Sequence, residues 1–419
     1  MKTIFILALK SLNNRRLTVI MTVLSIAVSV ALLIGVEKVR TGTKQSFNST
    51  ISGTDLIVGA RSGSVQMLLY SVFRIGNATN NISWKSYQEL AGHRQVDWTI
   101  PISLGDSHRG YRVLGTTGDY FKHYRYGRDR ALTFGAGQPF NHLHDVVLGA
   151  AVADKLGYQL GQKVVIAHGI GSTSFTKHDD QPFTVVGILK PTGTPLDQTL
   201  HVSLQAIEAI HIDWQAGAYL KGSGGKTPLA ERVLQPKEIT AVLVGLKSKM
   251  ATFQLQRAIN NYRKEPLQAI LPGVALQQLW EMISIAENAL LIISVFVVVT
   301  GLFGMLTVLL TSLNERRREM AILRSIGARP WQLCLLLVLE SGGLTLCGVL
   351  SGMIFIYGGL SAALPLLESH FGLFIEVGFP GLYELKLLAM IVLAGLLSGL
   401  VPGYRAYRYS VADGMTVRL

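Results

Sequence analysis

The sequence predicts an α-helical membrane domain of four transmembrane helices, with a large α+β extracytoplasmic domain inserted between helices 1 and 2. Three observations carry this. Residues 17–36, 284–313, 331–364 and 385–404 are apolar runs at or above the ~20 residues a bilayer span needs, the third unusually long for one. Residues 37–283 contain no such run and mix short β-branched stretches with helical patterns. The 419-residue chain is 49% hydrophobic and 16% charged, with mean hydropathy +0.36. That is too apolar for an ordinary soluble enzyme and too polar to lie wholly in a membrane.

In chain order, residues 1–16 place Ile4, Leu7, Ala8 and Leu12 at helical spacing with Lys10 interrupting, which predicts an amphipathic helix on the cytoplasmic membrane surface. Residues 17–36 follow as the first span. A cleaved leader, with Ser29-Val30-Ala31 as its small-residue site, fits worse, because both the run and the segment before it are long. Ala27, Ala31 and Gly35 recur every four residues, the small-residue stripe that lets helices approach closely.

Residues 37–283 are expected to form the external domain with its stalks, residues 37–45 extending the first helix outward. Residues 111–115, 163–167 and 182–189 read as strands; residues 150–157, 231–234 and 252–262 read as helices, the first ending at Gly157. Residues 76–83 and 217–228 read as loops, and the apolar residues 67–75 as core. Residues 277–287 resemble a returning stalk, with Trp280 suited to the membrane interface. The second span is residues 284–313, and the third, residues 331–364, follows the connector 314–330. A loop at 365–384 carries Glu368, Glu376 and Glu384. The fourth span, residues 385–404, holds Gly395 and Gly399 in small-xxx-small register, and the tail 405–419 carries Arg405, Arg408 and Arg418. Basic residues thus gather at both termini and in the connector. The positive-inside rule places these in the cytoplasm and the large domain outside.

Net charge +13 and a pI near 9.7 raise the question of nucleic acid. No basic stripe interleaved with aromatics occurs, and the arginines flank apolar runs, so no nucleic-acid partner is expected. The two cysteines, Cys334 and Cys347, stand on one presumed helix roughly 20 Å apart at ~1.5 Å per residue, and are read as packing residues.

The connector is the segment built for docking. At 100° per residue Met320, Ile322, Leu323 and Ile326 share one broad arc, with Arg317, Arg318 and Arg324 opposite. Gly327 is placed to cap the helix and Pro330 cannot continue it. Glu340, inside the third span, is an ionisable residue at membrane depth, read as a structural hydrogen-bonding group ahead of a proton site. Seven of ten histidines lie between His123 and His211. His142, His144, His168, His178 and Asp179 are weak metal-ligand candidates, without the spacing of a known site. Asn48, Asn77 and Asn81 form glycosylation sequons by pattern alone. No metal or other cofactor is expected to be held by this chain, and no nucleophile–base pair or carboxylate pair marks it as an enzyme.

The order of several motifs resembles the MacB/LolC/FtsX-type permeases of ABC transporters, the type VII or mechanotransmission group. They are Val113-Leu114-Gly115-Thr116-Thr117-Gly118-Asp119-Tyr120-Phe121, residues 146–156, residues 183–190, the connector from Arg316 to Pro330, Glu340-Ser341-Gly342-Gly343, and residues 402–408. The resemblance covers nearly the whole length, more weakly in the first half of the external domain. It implies a coupling helix, with Glu315, Arg316, Glu319, Met320, Ile322, Leu323, Arg324, Ile326 and Gly327 received by an ABC ATPase subunit in two copies, which would bind ATP and magnesium. It implies a second permease subunit, as homodimer or paralogous heterodimer, and a bacterial inner-membrane location. Membrane lipid and a periplasmic protein are further expected partners. Gly222-Ser223-Gly224-Gly225-Lys226-Thr227 imitates a phosphate loop, but Leu220 stands where the pattern needs glycine and Pro228 follows, so the ATPase is expected on a separate chain. The expected function is ATP-driven movement of the external domain for export, lipoprotein extraction or signalling. The alternatives are a zinc-linked transporter component and a membrane-anchored periplasmic scaffold.

Overall fold

The computed structural model describes residues 16–48, 50–168, 181–211, 214–215, 218–219, 234–315, 317–371 and 378–408. The amphipathic segment before Arg16, His178, Asp179, the imitation phosphate loop, Arg316 and the tail from residue 409 lie outside them. So do the side chains of Glu315, Arg317, His168 and Glu368. Two compact units divide the chain: a helical bundle (1–42, 284–365, 375–419) and an inserted domain (43–283, 366–374).

Among the described residues four helices are long and apolar enough to cross a membrane: Arg16–Gln45, Pro272–Leu313, Pro330–Ala363 and Leu382–Arg408. Their secondary structure extends further than the apolar runs, because polar flanks continue the helices beyond the bilayer length. The first runs unbroken over Arg16–Asn48, the second over Pro272–Glu315 and the third over Pro330–Phe371. The second therefore begins earlier than the expected stalk at 277. On the first helix Leu17, Ile20, Met21, Leu24, Val28 and Leu32 are exposed while Ile26, Val30, Leu33 and Ile34 are buried. This helical-period split separates a lipid-facing stripe from the bundle core, where Ile26, Val30, Met305, Leu309, Leu344 and Ile391 meet.

Helix–helix contact in the bundle is set by small residues. A Cβ on Gly352 would lie 2.7 Å from the Ala27 carbonyl oxygen, and one on Gly35 would lie 2.9 Å from Ile356 Cδ1. Ala27 and Ala31 are both buried. On its other side the third helix meets the fourth, where a Cβ on Gly395 would lie 2.1 Å from Thr345 Oγ1 and one on Gly399 2.1 Å from Ser341 Oγ. Glu340 is buried on this same third helix. Cys334 is half-buried and lies where a Cβ on Gly403 would meet its Sγ at 2.7 Å, whereas Cys347 is exposed. Only the first of the two cysteines is thus a packing residue of the bundle; the second sits on the helix's outward face.

The inserted domain is α+β, organised on an 11-stranded mixed sheet. From one edge nine strands follow in the order Leu267–Ile270, Leu56–Ala60, Ala241–Leu246, Val96–His108, Tyr111–Thr116, Thr199–Ser203, Asp145–Leu148, Phe183–Leu189 and Phe134–Gly137, and the other two, Ala167–His168 and Lys163–Val164, pair off this path with Val96–His108 and Phe183–Leu189. Two pairings are parallel, Thr199–Ser203 with Tyr111–Thr116 and Phe183–Leu189 with Asp145–Leu148; every other pairing in this order is antiparallel. Both faces are covered, so the central strands are apolar on both sides rather than alternating with polar residues. Ala241 and Leu243 enter a core with Tyr70, Phe73, Tyr120 and Phe121, while Val242 and Val244 enter another with Leu90, Leu255 and Ile259. A third core joins Val146, Leu148, Val152, Phe183 and Val202.

Local sequence explains the helices. Helix Ala150–Leu156 ends where Gly157 takes φ 67°, a left-handed cap that glycine enters without a Cβ penalty. Helix Trp84–Ala91 is capped by Ser83, whose Oγ accepts from the Ser86 amide. Three expectations shift. Residues 163–167 give only the two-residue strands Lys163–Val164 and Ala167–His168, pairing different neighbours. The apolar stretch 67–75 is core only to Phe73, Ile75 being exposed. Trp280 is not a free interfacial anchor: its ring packs edge-on to Phe47 at 5.5 Å with Lys44 above it, both within the inserted domain.

Candidate functional site

The connector folds as helix Arg317–Ser325. Its end is fixed by a Schellman motif: Gly327 at φ 104° donates its amide to the Arg324 carbonyl at 3.0 Å, and Ala328 donates to that of Leu323 at 3.0 Å. The chain then turns at once into the third spanning helix, Pro330 occupying its first turn where a missing N–H costs nothing. The Arg329 amide donates to Gln332 Oε1 at 2.8 Å, closing the start of that helix.

The apolar arc is divided rather than presented whole. Met320 and Leu323 join Leu313, Leu333, Leu336, Leu337 and Ala406 in a core of the bundle. Ile322 and Ile326 are 47% and 79% exposed. The arc spans roughly 160° at 100° per residue, so the bundle takes one flank and the other is left open. Arg318, Glu319 and Ser325 are also exposed, while Arg324 is half-buried. The resulting outward surface is a ridge of two isoleucines between charged neighbours. Such a ridge can enter an apolar groove on a partner while its charges meet polar rims.

Of the metal candidates, His142 is exposed, and its backbone amide donates to Asp145 Oδ2 at 2.8 Å. His144 Nε2 lies 3.3 Å from Gln181 Oε1, its ring against Phe183. Among the described residues no three His, Cys, Asp or Glu side chains are placed to share a metal.

Two further histidines of the inserted domain, His201 and His211, are structural in opposite senses. His201 is fully buried beside the Tyr120 and Phe121 rings. Burial pushes it down to about 3, the Arg74 charge acting in the same direction and the Val147 backbone against it. His211 Nε2 faces Asp106 Oδ1 at 3.5 Å, and its Nδ1 is 2.7 Å from the Ile207 carbonyl. Burial opposes its charge, but Asp106 and that carbonyl outweigh burial and raise it above the usual value.

A second cluster escaped the sequence. At the end of the bundle opposite the connector, Lys38 Nζ lies 3.1 Å from Glu384 Oε1. Arg40 donates from Nε and Nη2 to the two Glu37 carboxylate oxygens at 3.0 Å each, and its Nη1 is 3.9 Å from Glu287 Oε2. The available signal was the position of Lys38 and Arg40 just beyond the first apolar run, on the side where positive-inside disfavours them. They count against that topology but are outnumbered by Lys2, Lys10, Arg15 and Arg16 before the first span and by the arginines at 316, 317, 318, 324 and 329 of the connector.

A family model described as MacB-like periplasmic core domain matches residues 19–262, and one described as FtsX-like permease C-terminal matches residues 291–411. Over 353 residues the chain is 24% identical to the Macrolide export ATP-binding/permease protein MacB of Bdellovibrio bacteriovorus, covering 80% of this chain and 50% of that protein. Its identity to the protein of the same name in Rhodospirillum rubrum is 26% over 233 residues, 54% of this chain and 32% of that protein. The chain therefore spans about half or less of the length of these curated relatives. The crystal structure of the periplasmic region of MacB from Actinobacillus actinomycetemcomitans covers 55% of this chain and 94% of its own, at 12% identity and TM-score 0.33.

Proposed function

Because the chain belongs to the family with a MacB-like periplasmic core domain and an FtsX-like permease C-terminal region, we propose that it is the permease of an ABC transporter whose ATPase moves the periplasmic domain. The observation that carries this reading is the open ridge of Ile322 and Ile326 on a short helix whose other flank, Met320 and Leu323, is built into the bundle. A surface-lying connector needs no such division. A helix that must pass force from a partner to the bundle needs one apolar face for each.

In this reading two ATPase subunits receive the connectors of two permeases, as homodimer or heterodimer, and bind the ATP and magnesium. The protein crosses the bacterial inner membrane with the connector and both termini in the cytoplasm and the inserted domain in the periplasm. The excess of basic residues in the connector and before the first span supports that orientation. The work done is export, lipoprotein extraction or signalling. The test is reconstitution of the full chain with an ABC ATPase subunit from the same organism. Stimulation of hydrolysis that disappears in the double variant Ile322→Asp, Ile326→Asp is expected; an ATPase that neither binds nor responds to the unaltered chain overturns the reading.

A further inference from the structure

The charge cluster at the bundle end opposite the connector joins all four spanning helices. Lys38 on the first helix pairs with Glu384 in the first turn of the fourth, with side chains 10% and 8% exposed. Tyr357 of the third helix completes this contact: its hydroxyl is 3.4 Å from Glu384 Oε2, and Lys38 Nζ stands 5.4 Å from its ring centroid. Arg40, again on the first helix, is chelated by Glu37 and reaches Glu287 of the second.

Elsewhere the same helices are held differently. A Cβ on Gly348 would lie 2.6 Å from Ile26 Cγ2, and one on Gly399 2.9 Å from the Val338 Cα, so at these glycines the backbone of one helix meets a side chain or the backbone of the next with no slack. Such contacts do not part without leaving a void. An ion pair at the end of a bundle is different in kind. Its desolvation cost and its Coulombic gain nearly cancel, so the paired and the separated, rehydrated states differ little in free energy. Two nearly equal arrangements are what a moving part requires.

We propose that this cluster is a releasable latch: Lys38 bound to Glu384 and Tyr357 holds the far ends of the first, third and fourth helices together, and its parting is a step of the working cycle. Force arriving at the connector spreads the far end first, because the close glycine contacts keep the rest of the bundle together. The inference rests on the transporter reading above.

The test compares three full-length proteins in lipid nanodiscs with the partner ATPase: unaltered, Lys38→Met with Glu384→Met, and Lys38→Glu with Glu384→Lys. The apolar pair is expected to melt no lower than the unaltered protein yet to lose about ten-fold in stimulated hydrolysis, because an apolar clasp has no hydrated open state. The exchanged pair is expected to keep stimulation within about two-fold. An apolar pair that turns over at the unaltered rate overturns the latch and leaves the transporter reading intact. Should the apolar pair fail to assemble, Lys38→Cys with Glu384→Cys, in a chain with Cys334→Ser and Cys347→Ser, is joined by a short bis-maleimide. Loss of hydrolysis on joining but not on single-armed labelling supports the latch, and full hydrolysis when joined overturns it. Absence of any stimulation by the unaltered chain removes the transporter reading and the latch with it.

Discussion

Lys38 Nζ and Glu384 Oε1 meet at 3.1 Å across helices whose ends lie more than three hundred residues apart in sequence. Removing one partner leaves the other charge largely withdrawn from water, with Tyr357 beside it. Lys38→Met or Glu384→Gln alone is therefore expected to lower stability by about 1–3 kcal/mol, less than for a fully buried pair because water reaches the bundle end. Removing both together should cost less than either. Thermal denaturation of the four proteins in nanodiscs measures the coupling, and additive losses would show that the two residues do not interact.

The outline of the chain was legible because its signals are long: four apolar runs, and a charged connector closed by Gly327 and Pro330. The Lys38–Glu384 contact was not, since nothing local tells which of Glu368, Glu376 and Glu384 a distant lysine meets. The fate of Met320, Ile322, Leu323 and Ile326 was half legible. Periodicity places all four on one arc, but only the position of Leu333, Leu336 and Ala406 decides which flank is taken. The strand at 163–167 was lost for a related reason. β-branched composition marks a tendency, and here the partners on either side claim two residues each.

The divided connector makes two classes of variant separable. Ile326→Asp alters a side chain that is 79% exposed and should change bundle stability by no more than about 0.5 kcal/mol. Its effect should fall on ATPase binding, weakened on the order of a hundred-fold together with Ile322→Asp. Met320→Ala, in a buried position, is expected to lower stability by about 2–4 kcal/mol. Parallel melting and pull-down measurements separate the two; equal destabilisation by both classes would place the isoleucines in the core after all.

Glycine contacts give a spatially resolved prediction. Gly399→Ala puts a Cβ 2.1 Å from Ser341 Oγ and 2.9 Å from Val338 Cα, and the second is backbone that cannot turn away. The helices must separate, at about 1–3 kcal/mol. Gly358→Ala, with nothing within 4 Å, is the control and should be neutral or gain up to about 1 kcal/mol from helix propensity. Denaturation of both variants beside the unaltered chain checks this, and equal effects would show that the third and fourth helices are not in close contact there.

His201 and His211 give the inserted domain two pH responses of opposite sign. With a folded value of about 3 against an ordinary 6.5, His201 is neutral in the folded domain and charged in the unfolded chain between those limits. Unfolding therefore takes up a proton there, and stability falls as pH drops below 6.5, by about 2 kcal/mol at pH 5 from this residue. His211 is raised, through Asp106 and the Ile207 carbonyl acting against burial. Its contribution is fully present below 6.5 and is lost as pH rises through its folded value. His201→Leu should flatten the acid limb of the stability curve, since the buried site beside Tyr120 accepts an apolar side chain. His211→Asn should leave the slope below pH 6.5 unchanged, lower the whole acid limb by a constant amount, and remove the loss of stability otherwise seen as pH rises through the folded value of His211. Hydrogen exchange of strand Thr199–Ser203 in the full chain between pH 5 and pH 8 follows this domain without reporting the bundle. Parallel pH dependences in the unaltered protein and His201→Leu would mean that His201 already carries its proton near pH 5, and that its aromatic surroundings do not exclude the charge.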